Sequence, residues 1–281
     1  MRTTKRSLLW GGILALLAAS SLQAFPPAPD HVIYGLVRDE MGNPIVNNSV
    51  EVYLETTAGV RIKTQIISGL QASVNFRLSV PMDSGITADQ YQPTALLPTV
   101  PFRMWVVAGG TTNLPIEMTL KTTALGRPGG QTRIDLTLGV DTNGDGLPDA
   151  WERAMIAALG LNISLADLKP GSDPTGSGMT IMQQYLAGTY AINPADGFAV
   201  KIASYNGGVP VLEFTGVTGR TYSVLGSQDA IHWSPIAFRL SGTGDPVATE
   251  YYTSSVRILR VEIPRPDAQA PVYEFYKLMV R

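Results

Sequence analysis

Around residue 50 apolar and polar positions alternate, with Val50, Val52 and Leu54 set against Ser49, Glu51 and Tyr53. Period two sends successive side chains to opposite faces, so this segment predicts a half-buried strand, and the preceding D-E-M-G-N-P predicts a turn. Further strands are predicted over residues 60–67, 74–80, 102–107, 115–120 and 133–138. Short strands at this density, separated by turn signals, predict a β-sandwich over residues 25–139.

After Val140 the period changes. Trp151, Met155 and Leu159 recur at i, i+4 and i+8, one stripe of a helix that stops at Gly160. A second short helix is predicted from Thr180, whose spacing to Gln183 is that of a capping box, to Gly188 at its C-terminal end. Residues 140–196 therefore read as a helical connector. From Phe198 the strand pattern returns in F-A-V-K-I-A-S, V-P-V-L-E-F, R-T-Y-S-V-L-G-S, P-I-A-F-R-L, S-V-R-I-L-R-V-E-I and Y-E-F-Y-K-L-M-V-R. The fold class expected is mainly β, with two β-sandwich domains, residues 25–139 and 197–281, joined by the short helical connector.

The first 24 residues do not fit this scheme. M-R-T-T-K-R supplies positive charge, S-L-L-W-G-G-I-L-A-L-L-A-A-S an apolar run, and S-L-Q-A a small residue before a cut after Ala24, the pattern of a secretory signal peptide. Its removal takes Arg2, Lys5 and Arg6 and no acid from 21 basic and 23 acidic side chains, leaving 18 against 23 and a net charge of −5. That balance argues against nucleic acid as a partner. No second apolar run of spanning length follows, so no membrane span is expected after signal removal. With no cysteine in 281 residues, stability must come from cores, turns and bound metal.

Charge is sparse, at 16% of residues, yet D-T-N-G-D-G-L-P-D-A-W-E, residues 141–152, holds four carboxylates and a side-chain amide. Like charges this close repel unless a cation lies among them. A loop folded round calcium needs oxygen ligands at positions 1, 3, 5, 7, 9 and 12 and a glycine at 6. Asp141, Asn143, Asp145, Asp149 and Glu152 occupy 1, 3, 5, 9 and 12, Leu147 offers its main-chain carbonyl at 7, and Gly146 takes the turn. These six residues are the candidate Ca2+ ligands. The alternating R-I-D-L-T-L-G-V before the loop predicts a strand-loop-helix unit. Pro148 lacks the N–H through which paired EF-hand loops bridge, so the site is expected to stand alone. From Asp173 the same spacing gives Thr175, Ser177, Gly178, Ile181 and Gln184. That copy has lost its other carboxylates and is expected to keep the turn and helix without binding a divalent ion.

Three resemblances accompany these readings. Gly35, Val37, Asp39, Gly42 and Pro44 match a G-x-V-x-D-x-x-G-x-P turn and resemble the opening of carboxypeptidase regulatory-like and immunoglobulin-like sandwiches. Residues 141–152 resemble the D-x-D-x-D-G calcium loops of dockerins and thrombospondin type 3 repeats, although the decayed second loop argues against a cohesin partner. Gly219, Arg220, Tyr222, Ser227, Asp229 and Trp233 resemble a C-terminal β-sandwich common in secreted proteins of environmental bacteria. That likeness implies secretion and an accessory place in a larger architecture.

The only histidines, His31 and His232, have no nucleophile signature near them, and a structural role is expected for both. The expected function is therefore non-enzymatic: a secreted, extracellular or cell-surface calcium-binding protein for adhesion or envelope assembly, its partner an unidentified protein or glycan at the cell surface. The alternative is a carbohydrate-binding accessory of a polysaccharide-degrading system, with Trp233, Tyr251, Tyr252, Tyr273 and Tyr276 as candidate stacking rings. Calcium is expected to fix the angle between the β domains, and its removal to open residues 140–160 to proteases.

Overall fold

The computed structural model describes residues 27–71, 73–86, 90–119, 123–189, 198–265 and 272–281. The predicted leader, residues 1–24, lies outside them. Two strand-rich lobes are linked by two short helices.

In the N-terminal lobe the alternation near residue 50 becomes a register. Val52 and Leu54 of strand Glu51–Thr56 are buried opposite Val106 and Met104 of strand Pro101–Ala108, while Tyr53 faces outward between Lys63 and Trp105. Arg61–Gln65 and Thr111–Asn113 extend this sheet on either side. A second sheet centres on Ala28–Gly35, antiparallel to Phe76–Met82 and parallel to Gln131–Arg133. Its Ile33, Leu78 and Val80 join Val52, Leu54, Met104 and Val106 in one buried cluster. Each such side chain contributes roughly 1.5–3 kcal/mol of burial, which is what ties the two sheets together.

In the C-terminal lobe one sheet runs Lys201–Asn206, Val209–Gly216, Arg257–Glu262, Arg239–Leu240. The other is built round Thr221–Ser227, which pairs with Ser234–Ile236, Tyr251–Tyr252 and Phe275–Val280. Leu212, Phe214, Tyr222, Val224, Leu259 and Val261 form the core.

Between the lobes lie α1, Asp149–Ala158, and α2, Ile181–Ala187. The predicted stripe on α1 buries Trp151 and Met155. The predicted capping box closes α2: Gln183 N–H donates to Thr180 Oγ1 at 3.2 Å and Thr180 N–H to Gln183 Oε1 at 2.8 Å. Trp151 and Tyr185 meet edge to face at 5.2 Å, and Leu147, Leu168 and Ile181 complete a third small core.

One buried side chain joins all three parts. Arg220, 2% exposed, donates from Nη1 to the Gly42 carbonyl at 2.6 Å, from Nε to the Leu186 carbonyl at 2.6 Å and from Nη2 to the Tyr185 carbonyl at 3.2 Å. Its guanidinium runs so close to the end of α2 that a Cβ on Gly188 would stand 3.0 Å from Nη2. Glycine there meets both that approach and its left-handed φ of 70°.

Three expected strands differ, one of them P-I-A-F-R-L, which is divided between Ser234–Ile236 and Arg239–Leu240 in different sheets. Within residues 115–120 the chain forms a 3-10 turn, Ile116–Met118. Pro115 brings no N–H to a ladder, and Thr119 Oγ1 turns back to the Ile116 carbonyl at 2.7 Å; Leu120 lies outside the described residues. The segment 133–138 is divided between Gln131–Arg133 and Leu136–Thr137, the latter parallel to Val37–Arg38. At the break Asp135 accepts Leu36 N–H at 3.0 Å and ion-pairs with Arg38 at 2.8 Å and Arg133 at 3.1 Å. Among the described residues no helix is long and apolar enough to cross a membrane.

Candidate metal site

The acidic loop folds back on itself through Asp149 N–H, which donates to the Val140 carbonyl at 2.7 Å. Asp141 organises the interior: Oδ1 accepts Gly144 N–H at 2.7 Å and Asp145 N–H at 3.2 Å, and Oδ2 accepts Gly146 N–H at 2.9 Å. Gly144 and Gly146 adopt φ of 70° and 91°, the left-handed turns this wrapping requires. Asp145 Oδ1 accepts Leu147 N–H at 3.0 Å. The Leu147 side chain is buried in the connector core beside Trp151.

At the centre lies the Asn143 amide. Nδ2 is 3.0 Å from Asp145 Oδ2, 3.3 Å from the Leu165 carbonyl and 3.5 Å from Glu152 Oε1. Glu152 is 0% exposed, and its Oε2 has no hydrogen-bond partner. Burial first, then the charges of Asp145, Asp149 and Asp141, push its carboxyl up to about 7 despite the hydrogen bond from Asn143. A buried carboxylate short of donors is a site short of positive charge.

Asp149 behaves differently. Its Oδ1 accepts Thr142 N–H at 2.8 Å, and its Oδ2 lies 3.0 Å from both Thr142 Oγ1 and Arg153 Nη2. Burial alone would raise its carboxyl, but the Thr142 and Arg153 contacts hold it below the usual range. Thus Asp141, Asn143, Asp145 and Glu152 are drawn together, and Asp149 is committed to closing the loop at the start of α1. Among the described residues no group of three or more His, Cys, Asp or Glu side chains stands in a metal-holding arrangement. Within the loop the reason is local: an amide occupies the centre and one carboxylate is turned aside.

The second loop repeats the backbone with different closure. Asp173 Oδ1 accepts Ser177 N–H at 3.1 Å and Oδ2 accepts Gly178 N–H at 2.7 Å. These are the same offsets at which Asp141 accepts Asp145 and Gly146. Gly176 and Gly178, at φ of 67° and 80°, match Gly144 and Gly146. At position 12 the Gln184 side chain, 0% exposed, donates Nε2–H to Ser177 Oγ at 3.3 Å. An amide-to-hydroxyl hydrogen bond spans the gap that Glu152 leaves open in the first loop.

His31 is buried, with Nδ1 2.9 Å from the Arg127 carbonyl and Nε2 2.9 Å from Thr132 Oγ1. His232 is exposed on a turn beside Asp229, which also accepts Ile231 and His232 N–H groups. The Lys277 ammonium covers the Trp233 ring at 4.4 Å from its centroid. Tyr251 packs on the C-terminal core and Tyr252 pairs with Thr221. Tyr273 and Tyr276 join Tyr205, which the sequence reading did not single out, along a groove of about 570 Å³ that also takes in Pro210, Pro235 and Pro264. Comparison of the chain with models of known protein families, with curated proteins and with solved structures finds no match.

Proposed function

We propose that this is a secreted or cell-surface protein in which a Ca2+-binding connector joins two lobes of β-sandwich type, serving adhesion or extracellular assembly with no catalytic role. The observation that carries the calcium reading is the buried, unpartnered Oε2 of Glu152 beside Asp141, Asn143 and Asp145. The donor set is carboxylate and amide oxygen with no sulfur or imidazole, the set that suits a hard cation of calcium's size. The secretory reading rests on the N-terminal pattern. Extracellular sites of this kind bind with dissociation constants on the order of 10⁻⁴ to 10⁻³ M. Titration calorimetry with CaCl2 on the chain from residue 25 should show one site in that range, lost in Glu152→Gln; absence of calcium-dependent heat up to tens of millimolar would refute the reading.

A second reading, a carbohydrate-binding accessory, is favoured by the groove lined by Tyr205, Tyr273 and Tyr276, since flat rings beside polar groups suit sugar faces. A glycan array probed with the calcium-loaded protein tests it. Binding that disappears in Tyr205→Ala supports this reading, and an array without signal removes it.

A further inference from the structure

We propose that the metal site extends beyond its own loop: the main-chain carbonyl of Leu165 is a ligand of the cation, taking the place in the coordination shell that Asp149 does not fill. This inference rests on the calcium reading above and deepens it. It begins with a count of donors at Asn143. The amide nitrogen carries two protons, yet three oxygens surround it: Asp145 Oδ2 at 3.0 Å, Leu165 O at 3.3 Å and Glu152 Oε1 at 3.5 Å. Two protons cannot serve three acceptors, and Glu152 Oε2 beside them has none at all.

The orientation of a side-chain amide is decided by its neighbours. Turned over, giving up the 3.3 Å hydrogen bond that its Oδ1 accepts from Asp145 N–H, Asn143 would add its own oxygen to the other three, and four oxygens would face one another. A cation among them makes that arrangement favourable. The resulting donors are two carboxylates, one amide oxygen and one peptide carbonyl, with Asp141 adjacent, a mixture characteristic of calcium shells.

Leu165 is suited to the task. It opens a 3-10 turn, Leu165–Asp167, fixed by a capping box in which Asp167 Oδ2 accepts Ser164 Oγ–H at 2.6 Å and Ser164 N–H at 3.2 Å. Leu168, 2% exposed, anchors the turn in the connector core. Its N–H donates to the Leu165 carbonyl at 3.1 Å, which occupies one lone pair and leaves the other facing Asn143. Asp149, the position-9 carboxylate, has both oxygens held by Thr142 and Arg153.

The sequence supplies its own test. Within residues 25–281, Leu–Ala peptide bonds occur only at 165–166 and 186–187. Labelling with carbonyl-13C leucine and 15N alanine therefore reports these two carbonyls alone in an HNCO spectrum. The Leu186 carbonyl, which accepts from Arg220, serves as the internal reference. Addition of CaCl2 should move the Leu165 carbonyl carbon downfield and leave Leu186 in place. Removing the capping box with Ser164→Ala and Asp167→Asn should weaken calcium affinity about tenfold, as loss of outer-shell support does elsewhere. If calcium binds and Glu152→Gln abolishes binding, but the Leu165 carbon does not move or the uncapped variant binds as wild type, the Leu165 assignment is overturned and the loop site stands. If no calcium binds at all, both fall together.

Discussion

Replacing Arg220 with methionine tests what holds the lobes at a fixed relation. The variant keeps most of the apolar stem and removes the guanidinium that serves Gly42, Tyr185 and Leu186. Tyr185 O retains a second donor, Gly188 N–H at 3.1 Å, so two carbonyls, Gly42 and Leu186, bear the main loss. Stranding a buried acceptor costs about 1–3 kcal/mol, or roughly 2–6 kcal/mol for the pair. Against this, no carboxylate among the described residues pairs with the guanidinium in its buried position, and burial, with the charge of Arg38 next, lowers its pKa. Removing it returns part of that desolvation cost, several kcal/mol in scale. Water reaching the opened junction relieves the carbonyls further, so a net loss of about 1–3 kcal/mol is expected. Because each lobe has its own core, far-ultraviolet circular dichroism should be nearly unchanged while small-angle scattering shows a larger radius of gyration. Arg220→Lys should recover only part of the loss, since an ammonium lacks the planar fork that reaches three carbonyls. A variant with wild-type scattering and a denaturation free energy within about 0.5 kcal/mol of wild type would refute the argument.

Chelation should raise protease cleavage within residues 140–160 with both lobes still folded; with Arg220 pinning the junction, the relation between lobes should persist, in contrast to the free angle expected from sequence, and Asp145→Ala should reproduce the cleavage pattern. Calcium at about ten times its dissociation constant should add about 1.4 kcal/mol, readable as a shift in thermal midpoint. Asp149→Asn should lower stability by about 1 kcal/mol through its Thr142 and Arg153 contacts while calcium affinity measured by calorimetry changes less than about threefold. Sequence alone makes Ser177→Ala silent, but Ser177 Oγ lies 3.3 Å from both Gln184 Nε2 and Met179 N; a stability loss of about 1 kcal/mol with unchanged calcium affinity is expected. Thr175→Asp with Ser177→Asp and Gln184→Glu should raise calcium stoichiometry from one to two, because the second loop already has the wrapped backbone; unchanged stoichiometry would count against the equivalence of the loops.

What the sequence makes legible is what short-range periodicity encodes. Val52 and Leu54 announce their face by alternation, Trp151 and Met155 by helical spacing, and Thr180 with Gln183 by a cap that spans three residues. Pro115 misleads because apolar content near it resembles a strand, whereas the missing N–H is what decides the local conformation. Tyr251–Tyr252 forms too short a strand to carry a period. Within the loop, spacing identifies residues able to reach a centre but not which do: Thr142 and Arg153 divert Asp149, and neither belongs to the motif. Leu165 contributes through a carbonyl that every residue possesses, so no pattern could mark it. Arg220 stands in a recognised stretch, yet its acceptors lie 34 to 178 positions away.

The placement of Arg220 also decides how the molecule carries tension. Strand Ala28–Gly35 runs on through Val37–Arg38 to the turn that holds Gly42, and strand Thr221–Ser227, immediately after Arg220, is paired with the C-terminal strand Phe275–Val280. A pull on the two ends of the folded chain therefore loads the junction at Gly42, where the 2.6 Å hydrogen bond to Arg220 lies beside the packing of Pro44 on Gly219, and passes out through the last strand. The connector meets the same junction, because Arg220 also holds the Leu186 and Tyr185 carbonyls at the end of α2. When the Arg220 contacts part, the connector takes the load, and its 57 residues, 140–196, can extend to roughly 190–205 Å at about 3.3–3.6 Å per residue once its helices and small core unfold. The acidic loop, residues 141–152, has no contact with Arg220 among those that hold this junction, so the arginine contacts are expected to yield before that loop is strained.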